Sequence, residues 1–220
     1  MKVVISLGGS LINPGRLNLA FLKEFKNVIS KFNKDKVIIV TGGGKIARDY
    51  IDGLSDKSEK IRSLIGIQAT KLNAMLVSNF FDSCIVIPDS LSQIKLLLKK
   101  NNLIICGALG YEPKMTSDGT AANIAREIKA DYFINITNVS GLYDKDPRKN
   151  KNAKFISRIN FNDFLKIVMK IKYKPGQHFV LDQTAAEIIT KYKIKTVILK
   201  GVNNLEGFLR EKKFIGTVID

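Results

Sequence analysis

The 220-residue sequence has no tryptophan, one histidine, two cysteines and five prolines. The lone histidine, His178, removes every metal site built on a histidine pair and leaves a Ser-His-Asp hydrolase without support. The cysteines, Cys84 and Cys106, stand beside apolar runs with no CxxC spacing, so they read as buried structural thiols. Long hydrophobic runs are also missing. Runs such as "LIIC" at 103 to 106 fall far short of the roughly 20 residues that cross a bilayer. The segment "MKVVISLGGS" reaches glycines where a signal peptide would stay apolar. These absences predict a cytoplasmic protein with no membrane partner.

Acidic residues are few: 20 Asp and Glu face 36 Lys and Arg, for a net charge of +16. That balance favours anionic partners. The lysines are dispersed, with no aromatic-interleaved basic segment, helix-turn-helix or RNP-like signature, so nucleic acid is not expected. A small phosphorylated ligand suits the charge. Length and an apolar content of 45% are enough for one sizeable core, and a single domain over 1–220 is expected.

β-type runs occur at 2–7, 36–41, 84–87, 102–107, 132–137, 195–199 and 215–219, mostly separated by helical patterns. Such alternation predicts an α/β fold whose mainly parallel sheet is covered by helices on both faces. In 18–33, Leu22, Phe25, Ile29 and Phe32 share one helical face behind a possible N-cap, Asn18. In 58–81, Ile61, Leu64, Ile65, Gln68, Leu72, Met75, Leu76 and Phe80 form the apolar stripe of a longer amphipathic helix. A helix capped by Thr116 or Ser117 turns Ala121, Ile124, Ala125 and Ile128 inward.

Ligands of parallel sheets collect at the carboxyl ends of the strands. Four such ends carry special sequence: Gly8-Gly9-Ser10, Gly42-Gly43-Gly44, the loop from Gly107 to Asp118, and Thr137-Asn138. Neither glycine turn has P-loop or GxGxxG spacing. They either make tight turns or bring backbone N–H groups close to anions at helix starts; two together favour a pair of phosphate cradles. Arg48 lies about one helical turn beyond Gly44, where a guanidinium can fold back onto the same anion. Lys45, Asp118, Tyr143 and Asp146 each admit two readings. Lys45 is a surface lysine or a phosphate ligand; Asp118 a helix-end acid or an orienting catalytic group. Tyr143 and Asp146 are turn residues or contacts to a base, ribose or metal.

These motifs together resemble the amino acid kinase superfamily and, within it, the archaeal type of uridylate (UMP) kinase. The likeness rests on "SLGGSL", "VTGGGKIARDYI", "IGIQATKLNAMLV", "TSDGTAANIA", "ITNVSGLYDKDP" and "VLDQTAAEII". It implies a three-layer α/β/α sandwich, usually assembled as a hexamer, that transfers a phosphoryl group from ATP with Mg²⁺ to UMP. It also implies that Gly8, Gly9, Ser10, Gly44, Arg48, Thr137, Asn138, Tyr143 and Asp146 hold the donor. Gly43, Arg48, Ser63, Gly110, Tyr111, Lys114, Met115, Thr116 and Ser117 would hold the acceptor, with Asp118 orienting the catalytic groups and no metal held by side chains. Many superfamily members carry a first-strand lysine where this chain has Ser6. Lys45 is then the first candidate for the catalytic lysine, ahead of Lys114 and Lys145. Ser63 stands where uridylate kinases usually have an aspartate toward the acceptor ribose, and the loop "GALGYEPKMTSD" is about two residues longer than the usual form. The rival readings are a superfamily kinase for an acetylated amino acid, carbamate or isopentenyl phosphate, a noncatalytic nucleotide sensor and, on charge alone, a nucleic-acid-binding domain.

Overall fold

A computed structural model describes residues 1–32, 35–81, 86–145, 147, 150–170 and 181–220. In chain order its elements are β1 (Lys2–Leu7), α1 (Gly9–Ile12), α2 (Leu19–Ile29), β2 (Lys36–Thr41), α3 (Gly44–Gly53), α4 (Glu59–Phe80), α5 (Leu91–Leu97), β3 (Leu103–Cys106), α6 (Ser117–Glu127) and β4 (Tyr132–Thr137). They continue with β5 (Leu142–Tyr143), β6 (Phe155–Ile156), β7 (Arg158–Ile159), α7 (Phe161–Lys170), α8 (Gln183–Tyr192), β8 (Thr196–Lys200), α9 (Gly201–Leu209) and β9 (Gly216–Ile219).

The main sheet runs β3-β2-β1-β4-β8-β9-β7. Its pairs are parallel except β8 with β9. Residues 84 and 85 of the expected strand at 84–87 lie outside the described residues, as does Cys84; Val86 and Ile87 are not in a strand. Two-residue alternation divides each strand between two apolar layers. Val3, Ile5, Leu7, Ile134 and Ile136 meet α1, α2, α4 and α9, while Val4, Val40, Cys106 and Phe133 meet α5, α6, α7 and α8. The result is the expected α/β/α sandwich. Burial pushes the Cys106 thiol up to about 12, which keeps it protonated and inert, as a structural thiol should be.

Leu22, Phe25 and Ile29 of α2 are buried behind the Asn18 cap, and Phe32 lies half-buried in the short 3-10 turn that follows. Ala121, Ile124, Ala125 and Ile128 all face inward, and Thr116 supplies the cap of α6.

The helix α4 departs from its expected orientation. Its core face consists of Ala69, Thr70, Asn73, Ala74, Val77 and Ser78. Much of the more apolar stripe points out: Ile61 is 46% exposed, Leu64 41%, Leu72 55% and Met75 51%. Small residues let α4 lie close to the sheet and to α3. A stripe that would serve as core in an isolated domain is therefore left on the surface.

Candidate active site

The strand order reverses at β1, which lies between β2 and β4. A crevice at such a reversal, beyond the carboxyl ends of the strands, is where open α/β sheets bind ligands. Both glycine turns sit there. The Gly8 N–H donates to the Ile136 carbonyl at 3.1 Å, and the Gly42 N–H donates to the Leu7 carbonyl at 2.9 Å. Each turn is thus hung from the end of a neighbouring strand.

The two turns touch each other through bare backbone. A Cβ at Gly9 would lie 2.1 Å from the Gly44 nitrogen, and one at Gly44 would lie 2.5 Å from the Gly9 carbonyl oxygen. Gly44 also has φ +69°, a conformation that side chains resist. Glycine is required here for both space and backbone angle.

Helix capping separates these turns from most of the fold. Asn18, Ser58, Ser90, Thr116 and Asp182 cap α2, α4, α5, α6 and α8 with side chains. Gly8 and Gly43, at the starts of α1 and α3, supply no side-chain cap. Two helix amino termini, each with the partial positive charge of a helix start, therefore stand at the crevice where anions are favoured, with the Leu11 N–H held by the Gly8 carbonyl and the Lys45 N–H by the Asn13 carbonyl. Arg48 lies one turn into α3, half-buried and without an ion pair to any described residue. Lys45 is turned the other way: its ammonium binds both Asp49 carboxylate oxygens, at 2.6 and 2.8 Å, on the exposed side of α3.

A pair of carboxyl groups stands on the opposite face of β1. Alternation sends Ser6 toward α6, where its hydroxyl donates to Asp118 Oδ1 at 2.5 Å. Asp118 is half-buried as a residue, yet its carboxyl lies deep between strand and helix. Burial first, and the Asp182 charge second, push it up to about 7 against the opposing pull of the Ser6 hydrogen bond. Asp182 is itself raised by burial, opposed by hydrogen bonds from the Thr116 hydroxyl and nearby backbone N–H groups. Thr116 links the two acids. Its hydroxyl donates to Asp182 and accepts from the Asp118 N–H at 3.1 Å. Burial thus raises both carboxyl groups, and an acid pair held this way responds to charge arriving beside it.

The remaining candidates spread around the rim. Thr137 ends β4 and Asn138 is exposed beside it; Tyr143, in β5, packs edge-on against Phe155 at 5.4 Å. Asp146 lies outside the described residues, as does His178. Gly110 and Lys114 are exposed, Tyr111 is half-buried, and Met115 packs its sulfur where a Cβ on Gly119 would sit. Ser117 opens α6, and Ser63 lies half-buried near the start of α4. Ser10 is within α1. A shallow hollow of about 470 Å³, lined by Met1, Asp131, Tyr132 and Lys195 among others, lies at the strand starts, on the wrong edge of the sheet for this chemistry.

The model of the amino acid kinase family matches residues 1–200. This chain belongs to that family. Among curated members of this kinase family, it is 38% identical to the uridylate kinase of Archaeoglobus fulgidus and 34% identical to that of Methanococcus aeolicus, covering all of each chain. The crystal structure of the Archaeoglobus fulgidus enzyme superposes with a TM-score of 0.89 at 36% identity, also over both full chains. UMP kinase from Ureaplasma parvum, at 24% identity, supports the fold with a TM-score of 0.83 over 100% of this chain and 98% of that one.

Sequence reasoning about this kinase missed Asp182 and the inner face of α4. An N-cap pattern in "LDQTAAEII" marked the first, but its partner Thr116 is 66 positions away. Thr70 and Asn73, outside the stripe expected to be buried, are the buried contacts of α4 to the site.

Proposed function

We infer that this chain is a uridylate kinase of the archaeal type, transferring the γ-phosphoryl group of MgATP reversibly to UMP to give UDP and ADP in pyrimidine nucleotide biosynthesis. The observation that carries the reading is the pair of helix starts without side-chain caps, held back to back at the reversal of strand order. Two polyanions brought nose to nose need such paired donors, and full-length likeness to uridylate kinases names the pair. No helix among the described residues is long and apolar enough to cross a membrane, which agrees with work in the cytoplasm on soluble nucleotides. Residues 1–220 act as one domain in this reading.

The reaction asks for alignment and charge compensation more than covalent chemistry. Gly8 to Ser10, Gly44, Thr137 and Asn138 take the donor, with Tyr143 and Asp146 beside its nucleoside. Gly43 and the loop from Gly110 to Ser117 take the acceptor, Ser63 flanking its ribose. Arg48 reaches both phosphates where they meet. Asp118 orients the reacting groups from below, and Lys45 swings from Asp49 to the transferred phosphoryl group. Mg²⁺ would enter with the phosphates of the substrate MgATP and offset their charge.

The exposed stripe of α4 supports assembly with further copies. Ile61, Leu64, Gln68, Leu72 and Met75 lie on one face and are symmetric about Gln68. Two antiparallel copies of α4 crossing there would set Ile61 against Met75 and Leu64 against Leu72, a self-complementary contact of two-fold type. Repetition of such dimers gives the hexamer expected of the archaeal enzymes.

A MgATP-coupled assay over nucleoside monophosphates and small acid acceptors tests the activity. Turnover with UMP is expected; ATP binding without turnover on any acceptor would make the chain a nucleotide sensor. Arg48→Ala should raise the KM for UMP roughly ten- to a hundredfold, the worth of a charged hydrogen bond. An unchanged KM would remove Arg48 from the acceptor phosphate.

A further inference from the structure

The Gly42–Gly43 peptide closes the glycine turn before α3, and its direction is set from outside the turn. The Gly42 carbonyl accepts a hydrogen bond from the Asn73 side-chain amide of α4 at 2.7 Å. Asn73 is only 3% exposed, so neither group has water as an alternative partner. The peptide is trans. Its N–H, on Gly43, must therefore point opposite to the carbonyl, away from α4. Gly43 itself is half-buried and opens α3 without a side-chain cap.

Glycine on both sides of this peptide is what makes the Asn73 contact decisive. No Cβ opposes rotation of the plane on either side, so the turn alone does little to choose between its two orientations. In the flipped one a carbonyl oxygen, not an N–H, would face an incoming phosphate. The contact belongs to a wider support on the same helix face. Thr41 Oγ1 donates to the Thr70 carbonyl at 2.8 Å, and the Ala108 N–H donates to Thr70 Oγ1 at 2.9 Å. One turn of α4 thus holds the glycine turn after β2 and the loop after β3.

We propose that Asn73 is a positioning residue for phosphoryl transfer: by holding the Gly42 carbonyl it aims the Gly43 N–H at the acceptor phosphate. It touches no substrate. The inference rests on the acceptor role of Gly43 in the proposed function. It extends that role to a residue buried behind the site.

Full-length Asn73→Ala and Asn73→Asp enzymes test it through kcat, the KM for UMP, the calorimetric Kd for UMP, and Tm. Asp keeps the volume but presents oxygen to the Gly42 carbonyl. Both variants should raise the KM and Kd for UMP roughly ten- to a hundredfold at temperatures where they are fully folded, with less change in the KM for ATP. Val77→Ala is the control, since Val77 is fully buried one turn further along α4 and makes only packing contacts. It should lower Tm and leave the UMP constants unchanged. Asn73→Ser, with a hydroxyl donor on a shorter stem, carries the same readout if the other two do not fold. UMP constants within twofold of the parent, or an equal change in Val77→Ala, overturn the proposal. Arg48→Ala separates the two levels. If it raises the KM for UMP while the Asn73 variants do not, only the role of Asn73 falls; if it too has no effect, the acceptor site itself is misplaced.

Discussion

Replacing Asp118 by Asn should make the protein more stable and nearly inactive. The carboxyl moves from an ordinary value of 3.8 up to about 7 on folding, through burial and the neighbouring Asp182. A raised carboxyl holds its proton in the folded state across a range where the unfolded chain has already lost it. Stability is therefore fully present below about pH 4 and declines as pH rises toward 7 and through it. Over that span the full cost is about 4 kcal/mol, and screening at a half-buried residue makes roughly 2 to 4 kcal/mol the expected range. Asn keeps an acceptor for the Ser6 hydroxyl and carries no charge, so it escapes this cost. For a domain of this length the gain corresponds to roughly 5 to 15 °C in Tm at pH 8. Differential scanning calorimetry of both proteins from pH 4 to pH 8 measures it. The two Tm values should converge at the acid end and separate toward pH 8, while kcat at pH 8 falls at least roughly a hundredfold in the variant. A Tm difference that is constant with pH, or a variant less stable at pH 8, would refute the charge argument. A near-normal kcat would return Asp118 to a helix-end role.

Three other outcomes follow from named contacts. Gly44→Ala should cost roughly 2 to 4 kcal/mol of stability, measured by urea unfolding, because the new Cβ meets the Gly9 carbonyl at 2.5 Å and the backbone sits at φ +69°; a neutral substitution would mean the turns can part. Lys45→Ala should lower kcat at least tenfold with Tm within about 1 °C, since an exposed pair such as Lys45–Asp49 adds little stability; unchanged kcat would shift attention to Lys114 and Lys145. Leu64→Asp with Leu72→Asp should reduce the assembly seen by analytical ultracentrifugation, and an unaltered sedimentation coefficient would take α4 out of the subunit contact.

The sheet was legible in the sequence because parallel strands buried on both faces write continuous apolar runs. The α2 and α6 faces were legible because the residues that recur at helical spacing, Leu22, Phe25 and Ile29 in one and Ala121, Ile124 and Ala125 in the other, point at this chain's own core. The helix α4 misled for the converse reason. Ile61, Leu64, Leu72 and Met75 face outward while Leu76 and Phe80 pack against the core beside Ala69, Thr70 and Ala74, so periodicity found the helix but misplaced part of its buried face. The glycine turns marked the site, since backbone needs of that kind show as residue types. Asp118 showed itself at a helix start, but its pairing with Asp182 did not. Ser6 meets Asp118 across 112 positions and Thr116 meets Asp182 across 66, contacts that only the topology brings together.

The contact between Gly9 and Gly44 bears on how the enzyme can move. With backbone against backbone and no side chain between them, the two glycine turns, proposed above as the floors of the donor and acceptor sites, leave each other little room to shift. Any closure that squeezes the two nucleotides together has to come from the roof, the loops after β3 and β4, with the twin glycine turns as its fixed anvil. An inhibitor joining two nucleotides through a phosphate bridge would then gain from a surface already set at the right span, and its linker length would read out the separation of the two substrates directly.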